Sequence, residues 1–236
     1  MTSYIEISGL VFEVRHGPRR KSFGLTVDRA GELVAHAPAA TPEAELRAWV
    51  ASKLLWVHQK LAQKRETVRN VYPPEFVSGE SIFYLGRSYR LRIIDKSRES
   101  LRFDGEWFEL KRNATPKAAQ HFQRWFTDEG GVWLRVRSTE LERRSGQAAK
   151  KVIVRDLGYR WGSCGKNRTI YFNWRLLQLP IQLIDYVILH EQVHLLHHDH
   201  SHRFWQSMDS VLPDWRIRKQ ELERDWARFS RFAVPL

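Results

Sequence analysis

Apolar and polar residues alternate over residues 4–36, in "YIEISGLVFEV" and "SFGLTVDRAGELVAHAP". This is the period of half-buried strands, and "DRAGE" supplies a turn, so two or three antiparallel strands are expected. The period then changes. "TPEAELRAWVASKLLWVHQKLAQKRE" offers Thr41 as N-cap, Pro42 at the first helical position and Glu45 near the start. It predicts one amphipathic helix over 42–66 with a basic exposed face. Beyond Pro73 and Pro74, "SIFYLGRSYRLRIID" and "SLRFDGEWFELKR" return to strand-like alternation, with turns at Gly86 and Asp104-Gly105. These strands are expected to join the first sheet.

Residues 115–144 read as a helix that Gly130-Gly131 should weaken or kink. "KKVIVRDLGYRWGSC" and "RTIYFNWRLL" are two further strand candidates flanking a turn. Pro180 opens a helix expected over about 180–197, and a last helix is expected over about 213–230. No solenoid-type repeat is visible. The element order predicts an α+β protein: an N-terminal antiparallel β-rich lobe with a helix over 1–112, then a second domain with a small sheet over 113–236.

Composition narrows the classes. The 236 residues suffice for one good core plus a smaller lobe. A 42% hydrophobic share and ten tryptophans exclude a disordered chain. Charge interrupts every apolar stretch before the roughly 18 residues of a membrane span, and "MTSYIEISGL" lacks a basic segment followed by an apolar one. The expectation is a soluble cytoplasmic protein without a membrane partner. Cys164 is the only cysteine, so a metal site must be built chiefly from histidine and carboxylate. A formal charge of +12 favours acidic partners. Arg19, Arg20, Lys21, Lys60, Lys64 and Arg65, interleaved with Trp49 and Trp56, form candidate nucleic-acid contacts.

The chemistry concentrates in "ILHEQVHLLHHDHSH", residues 188–202, which holds six of the ten histidines. His190 and His194 stand four apart, so both imidazoles project from one helix face and can bind one metal. Glu191 lies about 100° round the axis, suited to a metal-bound water rather than to the metal. Tyr186, His197 and Glu191 share that side with the two histidines, while Ile181, Ile184, Ile188, Leu189, Val193, Leu195 and Leu196 cover the other. A hydrolytic zinc site needs a third protein ligand and an open fourth position. His197 would place three ligands in a straight row, which cannot surround an ion, so the chain must bend first. His200, six past His194, is preferred over His202 and His197, with Glu221 and Glu223 on the last helix as further alternatives.

At this point the chain resembles the YgjP-like metallopeptidases, relatives of the SprT-like zincins. Their pattern is H-E-x-x-H, five residues, a third His, three residues, then Phe-Trp. It reads here as His190, Glu191, His194, His200, Phe204 and Trp205. Arg160-Trp161-Gly162-Ser163-Cys164 and Asn173-Trp174-Arg175-Leu176 match two further family stretches, and the similarity covers nearly the whole chain. The "HHDHSH" loop is richer in histidine than the family pattern, which leaves His198 and His202 open as third ligand. The metzincin glycine three after the second ligand is absent, since His197 stands there, and Met208 alone makes no Met-turn.

The resemblance implies a zincin-like metallopeptidase domain holding one zinc ion, with His190, His194 and His200 as ligands and Glu191 as general base for hydrolysis of a peptide or protein substrate. It also implies a substrate laid along an exposed strand edge, for which 168–173 is the candidate. Tyr186, His197, His202 and Arg160 are candidate transition-state contacts. Trp161, Trp174, Phe204 and Trp205 read first as packing, and Cys164 as a small residue in a tight turn rather than a blocking thiolate. The rival is a basic nucleic-acid-associated protein with a structural zinc, or a protease acting on DNA-bound proteins. A structural site would be closed by four ligands and would have no use for Glu191.

Overall fold

The computed structural model describes residues 3–18, 20–27, 31–68, 72–158 and 160–233, with the backbone alone at 64, 66–68 and 233. Arg19, the Lys64 side chain and the tip of the "DRAGE" turn lie outside the described residues. The protein is α+β, and it forms two compact units, Met1–Asn70 and Val71–Val234. No helix among the described residues is long and apolar enough to cross a membrane.

In the first unit β1 (Ser3–Ile7), β2 (Leu10–Gly17), β3 (Gly24–Val27) and β4 (Leu33–Pro38) form one sheet in the order β1-β2-β4-β3. The pairing is not purely antiparallel as expected, because β4 enters beside β2 and runs parallel to it. The reason is visible in "LVAHAP". Leu33, Val34, Ala35 and Ala37 are buried on both faces, which suits a central strand and not an edge. The expected helix is two, α1 (Glu43–Ala51) and α2 (Leu54–Val68). At the break the Ser52 hydroxyl donates to the Trp49 carbonyl at 2.7 Å, a local bond that competes with helix continuation. Pro42, not Thr41, occupies the N-cap, without a side-chain cap. Leu46, Val50 and Val57 close the core over Ile5, Phe12 and Val14. Trp49 packs on Phe23 at 5.2 Å, and Arg20 donates to the Ser22 carbonyl, so part of the basic aromatic cluster is engaged within the unit.

The second unit begins with β5 (Ser81–Tyr84), β6 (Arg87–Ile94), β7 (Leu101–Phe103) and β8 (Trp107–Lys111). These strands do not join the first sheet; they make their own, in the order β5-β6-β8-β7. Their rings explain it. Tyr84, Phe103 and Phe108 lie 5.2, 5.8 and 4.9 Å from Trp125 of α3 (Ala118–Ser145), so the apolar face is spent on that helix. The two sheets repeat one topology, with β6 parallel to β8 as β2 is to β4. Each opens with a two-residue turn of positive φ at both positions, Ser8-Gly9 and Leu85-Gly86.

α3 runs unbroken through Gly130-Gly131. Both glycines are buried, and a Cβ on Gly130 would come within 2.9 Å of Leu177 and one on Gly131 within 3.4 Å of Val154. They serve close packing rather than a kink. Next come β9 (Lys151–Arg155), β10 (Gly162–Cys164) and β11 (Thr169–Asn173), in the order β10-β11-β9. β11 is therefore the middle strand. The expectation that 168–173 offers an open edge is corrected, because both edges of β11 are paired and β10 is outermost. A 3-10 turn at Trp174–Gln178 leads to α4 (Ile181–Val193), α5 (His202–Val211) and α6 (Trp215–Phe229). α5 was not anticipated, and α4 stops four residues short of 197.

Gly86 seats the second sheet against the start of α4. Its φ is +78°, and a Cβ there would stand 2.6 Å from Pro180 Cα. Gly86→Ala is expected to cost about 2–4 kcal/mol, combining left-handed strain with overpacking. Gly79→Ala, at φ +88° with open space around it, should cost only the strain, about 1–2 kcal/mol. Urea unfolding midpoints of the two variants check the difference.

Candidate metal centre

α4 starts after Pro180 and is buried nearly all round. The expected split into an apolar and a functional face is not observed: Tyr186 and Glu191 are buried while Ile181 and Leu196 are exposed. Two polar contacts set the roll of the helix against α3. Arg137 donates to both Asp185 oxygens at 2.8 and 2.7 Å, and buried Gln192 donates to the Ser138 carbonyl at 2.7 Å. These bonds aim His190 and Glu191 away from α3.

His194 is the C-cap of α4. Beyond it the chain turns, the Asp199 carboxylate accepts from the Ser201 backbone N–H, and α5 begins at His202. His200 lies in that turn and folds back. Its Nε2 stands 3.1 Å from His190 Nε2 and 3.2 Å from His194 Nε2, and one ligand atom from each of the three lies within 4.8 Å of the others. Donors round a tetrahedral ion with bonds of about 2.0–2.1 Å stand roughly 3.3 Å apart, so the set fits a small divalent metal.

Protonation fits as well. His194 Nδ1 donates to the His197 carbonyl at 2.8 Å, since a carbonyl can only accept, which leaves its Nε2 lone pair free. Burial pushes His190 down to about 3, and burial likewise lowers His194 and His200. Three neutral imidazoles therefore face one point at pH 7. Phe204 from α5 packs against all three rings, with centroids at 4.9, 4.5 and 4.8 Å.

Glu191 is 7% exposed and lies against β10. Burial raises its carboxyl to about 8, opposed by the Cys164 backbone N–H, which donates to it, and by the Arg160 charge. Gly162 makes room: a Cβ there would sit 2.6 Å from Glu191 Cγ and 2.8 Å from Oε1. Asn173 holds the approach to β10 in place, donating to the Gly158 and Arg160 carbonyls at 3.0 and 2.9 Å. An open cleft of about 440 Å³ is lined by the three histidines and Glu191 together with Arg160, Gly162, Ser163, Cys164 and His198.

The other sequence candidates are dispersed. Of the four proposed transition-state contacts, only Arg160 lines this cleft. Tyr186 is buried, its ring 5.8 Å from that of His190. His197 bonds Ser207 Oγ through Nε2 at 3.0 Å, and His202 starts α5 at the surface. Glu221, Glu223 and His202 are outside the donor group. Cys164 lines the cleft with its thiol pushed up by burial and by Glu191, so it is protonated at neutral pH. Residue patterns missed the services of Gly162, the Cys164 amide, Asn173 and Phe204. All four stand in the stretches that carry the family resemblance, which was the available signal.

The YgjP-like metallopeptidase domain matches residues 21–225. The chain belongs to the YgjP-like family. Comparison with curated proteins and with solved structures returned no match. Membership in a metallopeptidase family implies a metal and a peptide or protein substrate. The matched span takes in the whole donor set, β10 and Arg160.

The Arg137–Asp185 pair is testable by itself. Arg137→Met leaves a nearly buried carboxylate without its cation. With the arginine side chain 30% exposed, the expected loss is about 2–3 kcal/mol, below the full cost of breaking a buried pair. Chemical denaturation of the variant against wild type reads it.

Proposed function

We propose that this YgjP-like protein is a zinc-dependent peptidase in which His190, His194 and His200 hold the ion and Glu191 is the general base. The observation that carries the reading is the convergence of three neutral imidazole nitrogens, 3.1 and 3.2 Å apart, beside a buried glutamate at an open cleft. A zinc ion held there supplies a Lewis acid for the scissile carbonyl and acidifies the attacking water.

The chain's own residues do the rest. The Glu191 carboxylate takes the proton from the attacking water and returns it to the leaving amide nitrogen. Burial raises the proton affinity of this carboxyl, and the charge of a held ion would lower it again towards the ionised form that a base requires. The Cys164 amide and Gly162 hold that carboxylate in place. Arg160 is the contact for the developing negative charge, being the only one of the four candidates on the cleft. The substrate backbone runs along the outer edge of β10, which no described strand pairs and on which the Cys164 N–H is given to Glu191, and main-chain bonds there carry no sequence preference.

The rival structural site is disfavoured by the donor count. A closed site takes four protein ligands, and the group among the described residues has three. Among the described residues, nothing about the basic side chains singles out a nucleic acid as partner.

Glu191→Gln should retain one zinc per chain and lose about 10²–10⁴-fold in kcat on a peptide substrate. Metal analysis with the peptidase assay decides: full activity in the variant, or no metal in the wild type, would overturn the mechanism. Gly162→Ala should also keep its zinc. Displacement of Glu191 by about 1 Å is expected to lower kcat about 100-fold, which steady-state kinetics will show.

A further inference from the structure

Metal-binding imidazoles are ordinarily aligned by a hydrogen bond from the ring nitrogen that does not bind. His194 has such a bond, to the His197 carbonyl. His190 does not: its Nδ1 is buried without a hydrogen-bond partner among the described residues. The helix backbone still directs His190, but His200 has no helix behind it, because α4 ends at Val193 and α5 begins at His202. Its ring must be oriented by something else.

The contacts around His200 are aromatic. Trp205 lies nearly parallel to it, with centroids at 5.5 Å and planes at 22°. Trp205 stacks in turn on Trp215, at 4.3 Å and 17°, and the Arg216 guanidinium lies over the Trp215 ring at 4.4 Å. The far end of this column is tied down. Trp215 Nε1 donates to Asp209 Oδ1 at 2.8 Å, and Arg216 donates to the same carboxylate. Phe204 packs against His200 at 4.8 Å with the two planes at 72°, a second contact in a direction different from the stack. A stack limits the tilt of a ring, and a second ring packed at a steep angle limits the space into which it can turn. Together they define the orientation that a hydrogen bond would otherwise set.

We infer that Trp205 is a positioning residue for the third metal ligand, bracing His200 against the His190–His194 pair through the stack Trp205–Trp215–Arg216. The inference rests on the reading of the three histidines as metal ligands. Trp205 touches neither the ion nor the substrate in this account. It acts by removing the rotational freedom that His200 would otherwise lose on binding, so its loss weakens the metal rather than the chemistry.

Metal affinity tests this directly. Metal-free wild type, Trp205→Leu, Trp205→Phe, Trp215→Leu and His200→Ala are titrated with zinc in competition with a chelator, and with cobalt(II) while its visible absorption is recorded. Trp205→Leu should bind zinc about 10–100-fold more weakly and change the cobalt bands. Trp205→Phe, which keeps a stacking ring, should recover most of both, and Trp215→Leu should fall between. Wild-type affinity and spectrum in Trp205→Leu, with binding weakened in His200→Ala, would overturn the brace and leave the ligand set standing. Absence of metal binding in the wild type, or undiminished binding in His200→Ala, would overturn the ligand reading and the brace with it. If circular dichroism shows Trp205→Leu unfolded, Trp215→Leu decides alone: wild-type affinity and spectrum there overturn the proposal.

Discussion

A straight helix can turn two imidazoles towards one point but not three around it, because residues on one face form a row along the axis. The third donor must come from chain that has left the helix and returned. Much of the second unit follows from that need. α4 stops at Val193, His194 is at once its C-cap and one of the three converging imidazoles, and a short turn brings His200 back to within 3.1 Å of His190. α5 then wedges Phe204 against all three rings.

The same helix carries a carboxylate beside the three imidazoles. Glu191 faces β10 instead of the histidine row. There a glycine leaves space for the side chain and a backbone amide receives it. Burial raises the proton affinity of this carboxyl. It also makes the arrangement demanding, because a buried carboxylate needs each donor that surrounds it. α4 can be so deeply buried because polar contacts, Arg137 to Asp185 and Gln192 to Ser138, accompany its apolar packing on α3.

Alternation and helical period made most individual elements legible, but not their partners. The strands from Ser81 to Lys111 were readable as strands, yet their ring-rich face could have packed on anything apolar. Only α3, with Trp125 and Phe126 in reach, explains why they form a separate sheet that repeats the topology of the first. The break at Ser52 and the continuity of α3 through Gly130-Gly131 depart from the periodicity for different reasons. At Gly130-Gly131 a glycine's poor helix propensity is small beside the packing that a close contact allows, whereas at Ser52 a local side-chain bond interrupts a helix that periodicity alone would carry through.

The sequence by itself determined that His190, His194 and Glu191 share one helix with the two imidazoles on one face, because i, i+4 spacing and the helical period hold whatever surrounds it. It also determined the family, through motifs spread over most of the chain. Only the tertiary structure decided which of several histidines comes back to the pair, that β10 and not β11 borders the cleft, and that Arg160 lines it where Tyr186 does not. The physical reason is range. Periodicity constrains side chains within a turn or two of one another, whereas the third donor, the carboxylate's neighbours and the open strand edge depend on contacts between segments that only packing brings together.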